Sequence, residues 1–127
     1  IINNILNKKK IPIYGNGKQK REWIYVDDFI SSLDFIISKN LIKENFLIGS
    51  GIRFENKIVA KKIIKIFKNK LHYDEKKIKL VSVTDRLGHD QEYKINSSKI
   101  KKLGWKSITN IDNDLLKTIN FYKKNNK

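Results

Sequence analysis

The stretch Ile11-Pro12-Ile13-Tyr14-Gly15-Asn16-Gly17-Lys18-Gln19-Lys20-Arg21-Glu22-Trp23-Ile24-Tyr25-Val26-Asp27-Asp28 decides how the rest of the chain is read. Its first four residues surround the chain's single proline, Pro12, and predict a short extended segment over Ile11–Tyr14. Gly15-Asn16-Gly17 is a turn signal, because these residues accept the left-handed backbone that tight turns demand. Trp23–Val26 predicts a short strand. Asp27 and Asp28 then open a helix through about Ser38, with Phe29, Ile30, Leu33, Ile36 and Ile37 at helical spacing. Acidic residues suit that first turn, since they cap free N–H groups and face the positive end of the helix dipole.

On either side the pattern stays mixed α/β. Ile1–Lys10 reads as the tail of a helix. Asn45–Ile48 predicts a short apolar strand ending at Gly49-Ser50-Gly51. Asn56 stands at the start, as N-cap, of a helix reaching about Lys70, with Ile58, Val59, Ile63, Ile64 and Phe67 on one face and most lysines off it. Ile78–Val83 predicts a strand, 85–90 a loop and Tyr93–Ile95 another short strand. Ser97–Leu103 predicts a short helix closed by Gly104, and Ile111–Tyr122 a last helix with Leu115, Leu116, Ile119 and Tyr122 inward. The tail 123–127 is polar and expected to fray. The strands are too few and short to make a sheet core by themselves.

Composition bounds the function. With 127 residues the chain has room for one domain or one piece of a larger one. A hydrophobic share of 39% with two Trp, five Tyr and six Phe is too much apolar material for a disordered tail. The absence of cysteine excludes a disulfide framework, a Cys-ligated zinc site and a thiol nucleophile. Two histidines, His72 and His89, do not supply a His-rich metal site, and no metal is expected. Without an apolar run of 18 residues or a signal peptide, no membrane contact and a cytoplasmic location are expected. The chain has no methionine, which predicts that it is part of a longer protein.

The formal charge of +15 comes from 25 Lys and only three Arg, against 13 acidic residues. Lys, Ile and Asn, the residues of A/T-rich codons, make up 61 of 127 positions. The lysines are spread along the chain, so the excess reads as coding bias and solvated helix faces, and nucleic acid is not the expected partner. The same bias makes Arg21, Arg53 and Arg86 more informative, because arginine marks a need for a planar, bidentate donor.

Neither Gly15-Asn16-Gly17 nor Gly49-Ser50-Gly51 is a dinucleotide fingerprint, no P-loop is present, and Tyr93-Lys94 has the wrong spacing for a Tyr-x-x-x-Lys pair. No catalytic constellation stands out. The loops instead carry anion-binding groups. Arg21 and Arg86 could clamp a diphosphate with paired charge-assisted hydrogen bonds, helped by the His89 imidazole and by Asn56 at a helix start. Pro12 and Tyr14 offer an apolar edge and a ring suited to a base. Each has a plainer reading: Arg21 paired with Glu22, Asn56 as a cap, His89 as a solvent-exposed loop residue, Tyr14 and Trp23 as core.

On these residues the chain resembles a known family. The segment 11–28 is similar to P-[IV]-Y-G-x-G-x-Q-x-R-[DE]-W-[IL]-Y-V-x-D of the extended short-chain dehydrogenase/reductases that act on nucleotide sugars. Asp85-Arg86-Leu87-Gly88-His89-Asp90 with Tyr93 resembles D-R-P-G-H-D-x-x-Y, and Leu103-Gly104-Trp105 resembles the L-G-W that follows. Together they look most like the dTDP-glucose 4,6-dehydratase branch. Leu87 stands where the pattern has proline, and Lys20 replaces a usually apolar residue.

The resemblance implies an α/β fold over 1–127: the C-terminal substrate-binding portion of an extended short-chain dehydrogenase/reductase, with the N-terminal Rossmann domain missing. It implies a dTDP-sugar as ligand, with Pro12, Ile13 and Tyr14 lining the nucleoside pocket and Arg21, Asn56, Arg86 and His89 around the diphosphate and ribose. The NAD loop, the catalytic Thr-Asp-Glu segment and the Tyr-x-x-x-Lys of the family fall upstream of Ile1, as do the helices through which the family dimerises. The chain by itself is therefore expected to be inactive and to need the missing N-terminal half, or a full-length homologue, as partner. The rival readings are another nucleotide-sugar dehydratase or epimerase, a non-catalytic binding module or remnant, and a basic nucleic-acid-binding domain.

Overall fold

The computed structural model describes residues 1–85, 87, 88 and 90–125, and only the backbone of Glu75. In chain order the elements are α1 (Ile2–Leu6), β1 (Ile11–Tyr14), β2 (Lys20–Glu22), α2 (Val26–Ser38), β3 (Arg53–Glu55), α3 (Asn56–Leu71), a single 3-10 turn (Glu75–Lys77), β4 (Leu80–Val83), α4 (Ser98–Lys102) and α5 (Ile111–Asn125). Among the described residues no helix is long and apolar enough to cross a membrane.

Helices make the core, since strands of three or four residues offer too little surface to bury. Ile5 of α1, Ile11 of β1, Val59, Ile63 and Phe67 of α3, and Leu115 and Ile119 of α5 form one buried cluster. Tyr73 packs edge-on against Phe67 with ring centroids 5.0 Å apart. On the wet side Lys62 Nζ donates to both carboxylate oxygens of Asp112, at 2.8 and 3.0 Å, and ties α3 to α5. The buried arc of α3 runs through Val59, Ala60, Ile63 and Phe67, which leaves Ile58 at its exposed edge. Tyr122 of α5 is likewise exposed and not inward, and the helix continues through Asn125.

The strands form two separate pairs. β1 lies parallel to β4, from Ile11 opposite Leu80 to Tyr14 opposite Val83. The Gly15 N–H extends that ladder by donating to the Val83 carbonyl at 2.8 Å, so the end of β1 and the loop after β4 emerge side by side. β2 is antiparallel to β3, with Arg21 opposite Phe54.

Three expected strands are not formed. Trp23–Val26 instead leaves β2: the Trp23 N–H still donates to the Ile52 carbonyl, but Tyr25 is the extended N-cap position of α2 and its N–H goes to Thr109 Oγ1 at 3.3 Å. Asn45–Ile48 has no ladder partner among the described residues, and an isolated strand cannot satisfy its own backbone groups. Tyr93–Ile95 is reduced to one bridge between Lys20 and Glu92, because the Ile95 N–H is taken by the Glu22 side chain at 3.1 Å.

Helix α2 is held by its polar side. Asp28 is buried, where Ser107 Oγ donates to its Oδ2 at 2.5 Å and Thr109 Oγ1 donates to the same oxygen. Asp28 therefore reaches across to the 107–109 segment and does not cap its own helix as the sequence suggests. Burial alone pushes its pKa up, but hydrogen bonds from Ser107, Thr109 and the backbone at 108 and 109 outweigh this and hold it below the ordinary Asp value. Three residues on, Ser31 Oγ accepts from the buried Trp105 indole N–H at 3.1 Å.

Candidate anion-binding cleft

The turn after β1, the start of α3, strand β2 and the loop after β4 converge on one cleft of about 530 Å³, lined by Tyr14, Arg21, Asn56, Leu87, Gly88, Asp90 and Tyr93. Three of the residues singled out in the sequence thus meet, although 42 positions of chain separate Tyr14 from Asn56. A second cavity of about 490 Å³, between α1, the 23–26 segment and α5, is lined by residues such as Ile2, Trp23, Leu115 and Tyr122 and by no Lys or Arg, so it lacks the cations a phosphate requires.

Arg21 is the central cation. One terminal nitrogen donates to the Lys20 carbonyl at 2.7 Å and the other to the Asp90 carbonyl at 3.0 Å. Its guanidinium lies 4.4 Å from the centroid of the Tyr93 ring, within cation–π range. Tyr93 in turn donates its phenol proton to Asp90 Oδ2 at 2.6 Å. Arg21, Tyr93 and Asp90 therefore hold one another, and a charged fork is set at the cleft wall before any ligand arrives. Glu22 is directed elsewhere: its carboxylate accepts from the Gly51 N–H at 2.8 Å as well as from Ile95. That leaves no room for a side chain at Gly49, where a Cβ would collide with Glu22 Oε1.

Asn56 proves to be the first residue of α3, with Glu55 as the N-cap position, because the extended β3 backbone runs straight into the helix. Its backbone N–H donates to the Gln19 carbonyl and that of Lys57 to the Gly17 carbonyl, both at 3.0 Å. These two helix-terminal amides are thus taken by the turn, and the part of Asn56 that serves the cleft is its side-chain amide, which makes no hydrogen bond among the described residues. Tyr14 closes one end of the cleft, half exposed. Pro12, on the same face of β1, is exposed and lies outside the lining; Ile13 points the opposite way and packs against the hydrophobic core. Arg86 and His89 lie outside the described residues, while their neighbours Leu87, Gly88 and Asp90 form the cleft's outer wall.

Tyr93 and Asp90 belong to the site by geometry although spacing alone assigned them no role. So does Gln19, which is 1% exposed beneath the cleft. The only signal for them was their place inside the two quoted motifs, since a glutamine in the polar run Lys18-Gln19-Lys20 carries no periodicity that marks it as buried.

An arginine fork, a carboxamide and an aromatic ring meet around a solvent-open cleft, and groups of this kind can hold an anion. The sequence model of the GDP-mannose 4,6 dehydratase family matches residues 1–118, and the chain belongs to that family. A dTDP-glucose 4,6-dehydratase of Escherichia coli is 37% identical over 134 residues, which cover 98% of this chain and 36% of that enzyme. The crystal structure of dTDP-glucose 4,6-dehydratase from Bacillus anthracis in complex with NAD matches with a TM-score of 0.77 and 32% identity, over 98% of this chain and 38% of that one. DesIV, a dTDP-glucose 4,6-dehydratase from Streptomyces venezuelae with NAD and TYD bound, matches with a TM-score of 0.75 and 25% identity, over 98% of this chain and 37% of that one. The fold is that of the C-terminal part of such enzymes, and the chain spans little more than a third of the length of the relatives it matches.

The described residues do not fit NAD. A dinucleotide pyrophosphate sits where a glycine turn leads from a strand directly into a helix. Here Gly17 leads into β2 and Gly51 into β3.

Proposed function

We propose that the cleft binds the diphosphate of a dTDP-sugar, and that the chain supplies the nucleotide-sugar contacts of a dTDP-glucose 4,6-dehydratase, which converts dTDP-glucose to dTDP-4-keto-6-deoxyglucose and water. The observation that carries this is the Arg21 fork, stacked on Tyr93 and sharing its cleft with Asn56, in a cleft built from four separate stretches of chain. A diphosphate offers paired oxygens to such a planar donor. Tyr14 lines the same cleft and offers a ring to a base; Arg86 and His89, which lie outside the described residues, enter this reading through the resemblance of residues 85–90 and 93 to the family motif. In this reading hydride transfer and water elimination belong to the assembled enzyme, with an N-terminal portion contributing NAD and the acid–base groups.

The test is a titration of the purified chain with dTDP at about 0.15 M salt, where distant surface lysines are screened, followed by NMR. Saturable shifts at Tyr14, Arg21 and Asn56 are expected, and Arg21→Ala should weaken binding by about tenfold or more, as loss of a charge-assisted pair predicts. GDP and UDP run alongside decide between this reading and another nucleotide-sugar enzyme of the family. No saturable response to any of the three overturns the assignment.

A further inference from the structure

Gln19 is buried to 1% exposure, yet it is hydrogen-bonded to three of the elements that wall the cleft. Its backbone carbonyl accepts the Asn56 N–H at 3.0 Å, at the start of α3. Its side-chain Nε2 donates to the Tyr14 carbonyl at 3.3 Å, at the end of β1, and to Asp85 Oδ2 at 2.5 Å, where the loop departs from β4. Both side-chain partners are acceptors, which settles the amide orientation: nitrogen faces them, and Oε1 is left buried with no partner among the described residues. Burying a half-satisfied amide is unfavourable, and an apolar side chain of the same length would fill the space without that penalty. The amide is explained by what it holds.

What it holds is the root of the loop. Asp85 directly precedes the loop position that the sequence assigns to the diphosphate. Its carboxylate is seated between the Gln19 amide and Gly15, whose backbone lies at φ +54° and where an added Cβ would stand 2.9 Å from Asp85 Oδ2. Gly15 is itself fastened to β4 by the Ser82 hydroxyl, which donates to the Gly15 carbonyl at 2.8 Å. The buried Gln19 amide is thus one of the contacts that hold Asp85 where the chain leaves β4. We infer that Gln19 is a positioning residue for the anion cleft, acting through Asp85 to fix Leu87, Gly88 and Asp90 relative to Arg21 and Asn56. It touches no ligand. The ligand-dependent part of the inference rests on the dTDP reading above.

The experiment uses the full 127-residue chain, with Gln19→Met as the isosteric variant. Asp85→Ala cuts the same bond from the half-exposed side and serves should Gln19→Met not fold. Affinities for dTDP and for thymidine are measured together with 15N relaxation. A positioning role predicts that dTDP binding falls by about tenfold while thymidine binding is unchanged, and that order at Leu87, Gly88 and Asp90 drops while α3 and α5 keep theirs. Unchanged dTDP affinity, or equal weakening of dTDP and thymidine, overturns the inference, the latter because a purely structural loss would affect both. Should the wild-type chain ignore dTDP, the nucleotide reading fails alone, and relaxation still decides: loop order lost in the variants supports Gln19 as the anchor, and unaltered order overturns it.

Discussion

Two amphipathic helices, α2 and α3, meet opposite surroundings. In α3 the apolar stripe is inside: Val59 and Phe67 are 0% exposed, and six lysines stand on the outer side. In α2 the apolar residues are the open ones, with Phe29 at 43%, Ile30 at 49% and Ile37 at 65% exposure, while Asp28 and Ser32 are buried. α2 also contains no Lys or Arg, in a chain with 28 of them. One helix is fixed by hydrophobic burial, the other by hydrogen bonds that Asp28 and Ser31 accept from the 105–109 segment. A helical period reports that a helix has an apolar face, and is silent about what covers it.

This contrast is breakable by mutation. The largest effect is expected in α3: Phe67→Ala should cost about 3–5 kcal/mol, since it empties the centre of the core and strips Tyr73 of its ring partner. Urea unfolding measures it. A loss below about 1 kcal/mol would mean that α3 is not the centre of the cooperative unit.

Asp28→Asn comes next, with an expected loss of about 1–3 kcal/mol, because it removes the charged acceptor that both hydroxyls address. Its pH signature has a definite sign. The folded-state pKa is depressed, so the stability Asp28 contributes is present above its unfolded value of about 3.9 and is lost as pH falls through the folded value. Wild-type stability should therefore decline below about pH 4 more steeply than that of Asp28→Asn, followed by Trp105 fluorescence. Parallel curves would remove Asp28 as the anchor of α2.

The smallest effect belongs to the open face. Ile37→Ala should change stability by less than about 0.5 kcal/mol, as for a surface position. A core-sized loss there would show that this face is covered in solution and would erase the contrast with α3.

The cleft was legible in part. Arg21 and Asn56 stood out because arginine is rare against a lysine background and because helix starts favour Asn, and they do share one wall-to-wall cleft with Tyr14. Ile13 did not join them, since strand alternation turns it to the core while Tyr14 faces out. Gln19, Asp90 and Tyr93 were hidden because what ties them to the cleft lies far along the chain: 66 positions separate Gln19 from Asp85, and 69 separate Asp90 from Arg21.

The sequence by itself determined the helices α2, α3 and α5, the extended segment at Ile11–Tyr14, the turn at 15–17 and the motifs that carry family membership. It could do so because a helix closes its hydrogen bonds within a few residues and a turn needs only the right local backbone. Tertiary structure alone decided which extended segments became strands, which face of α2 was buried, and that the first two amides of α3 are taken by the Gly17 and Gln19 carbonyls. Those outcomes depend on partners supplied from distant parts of the chain, which local patterns do not encode.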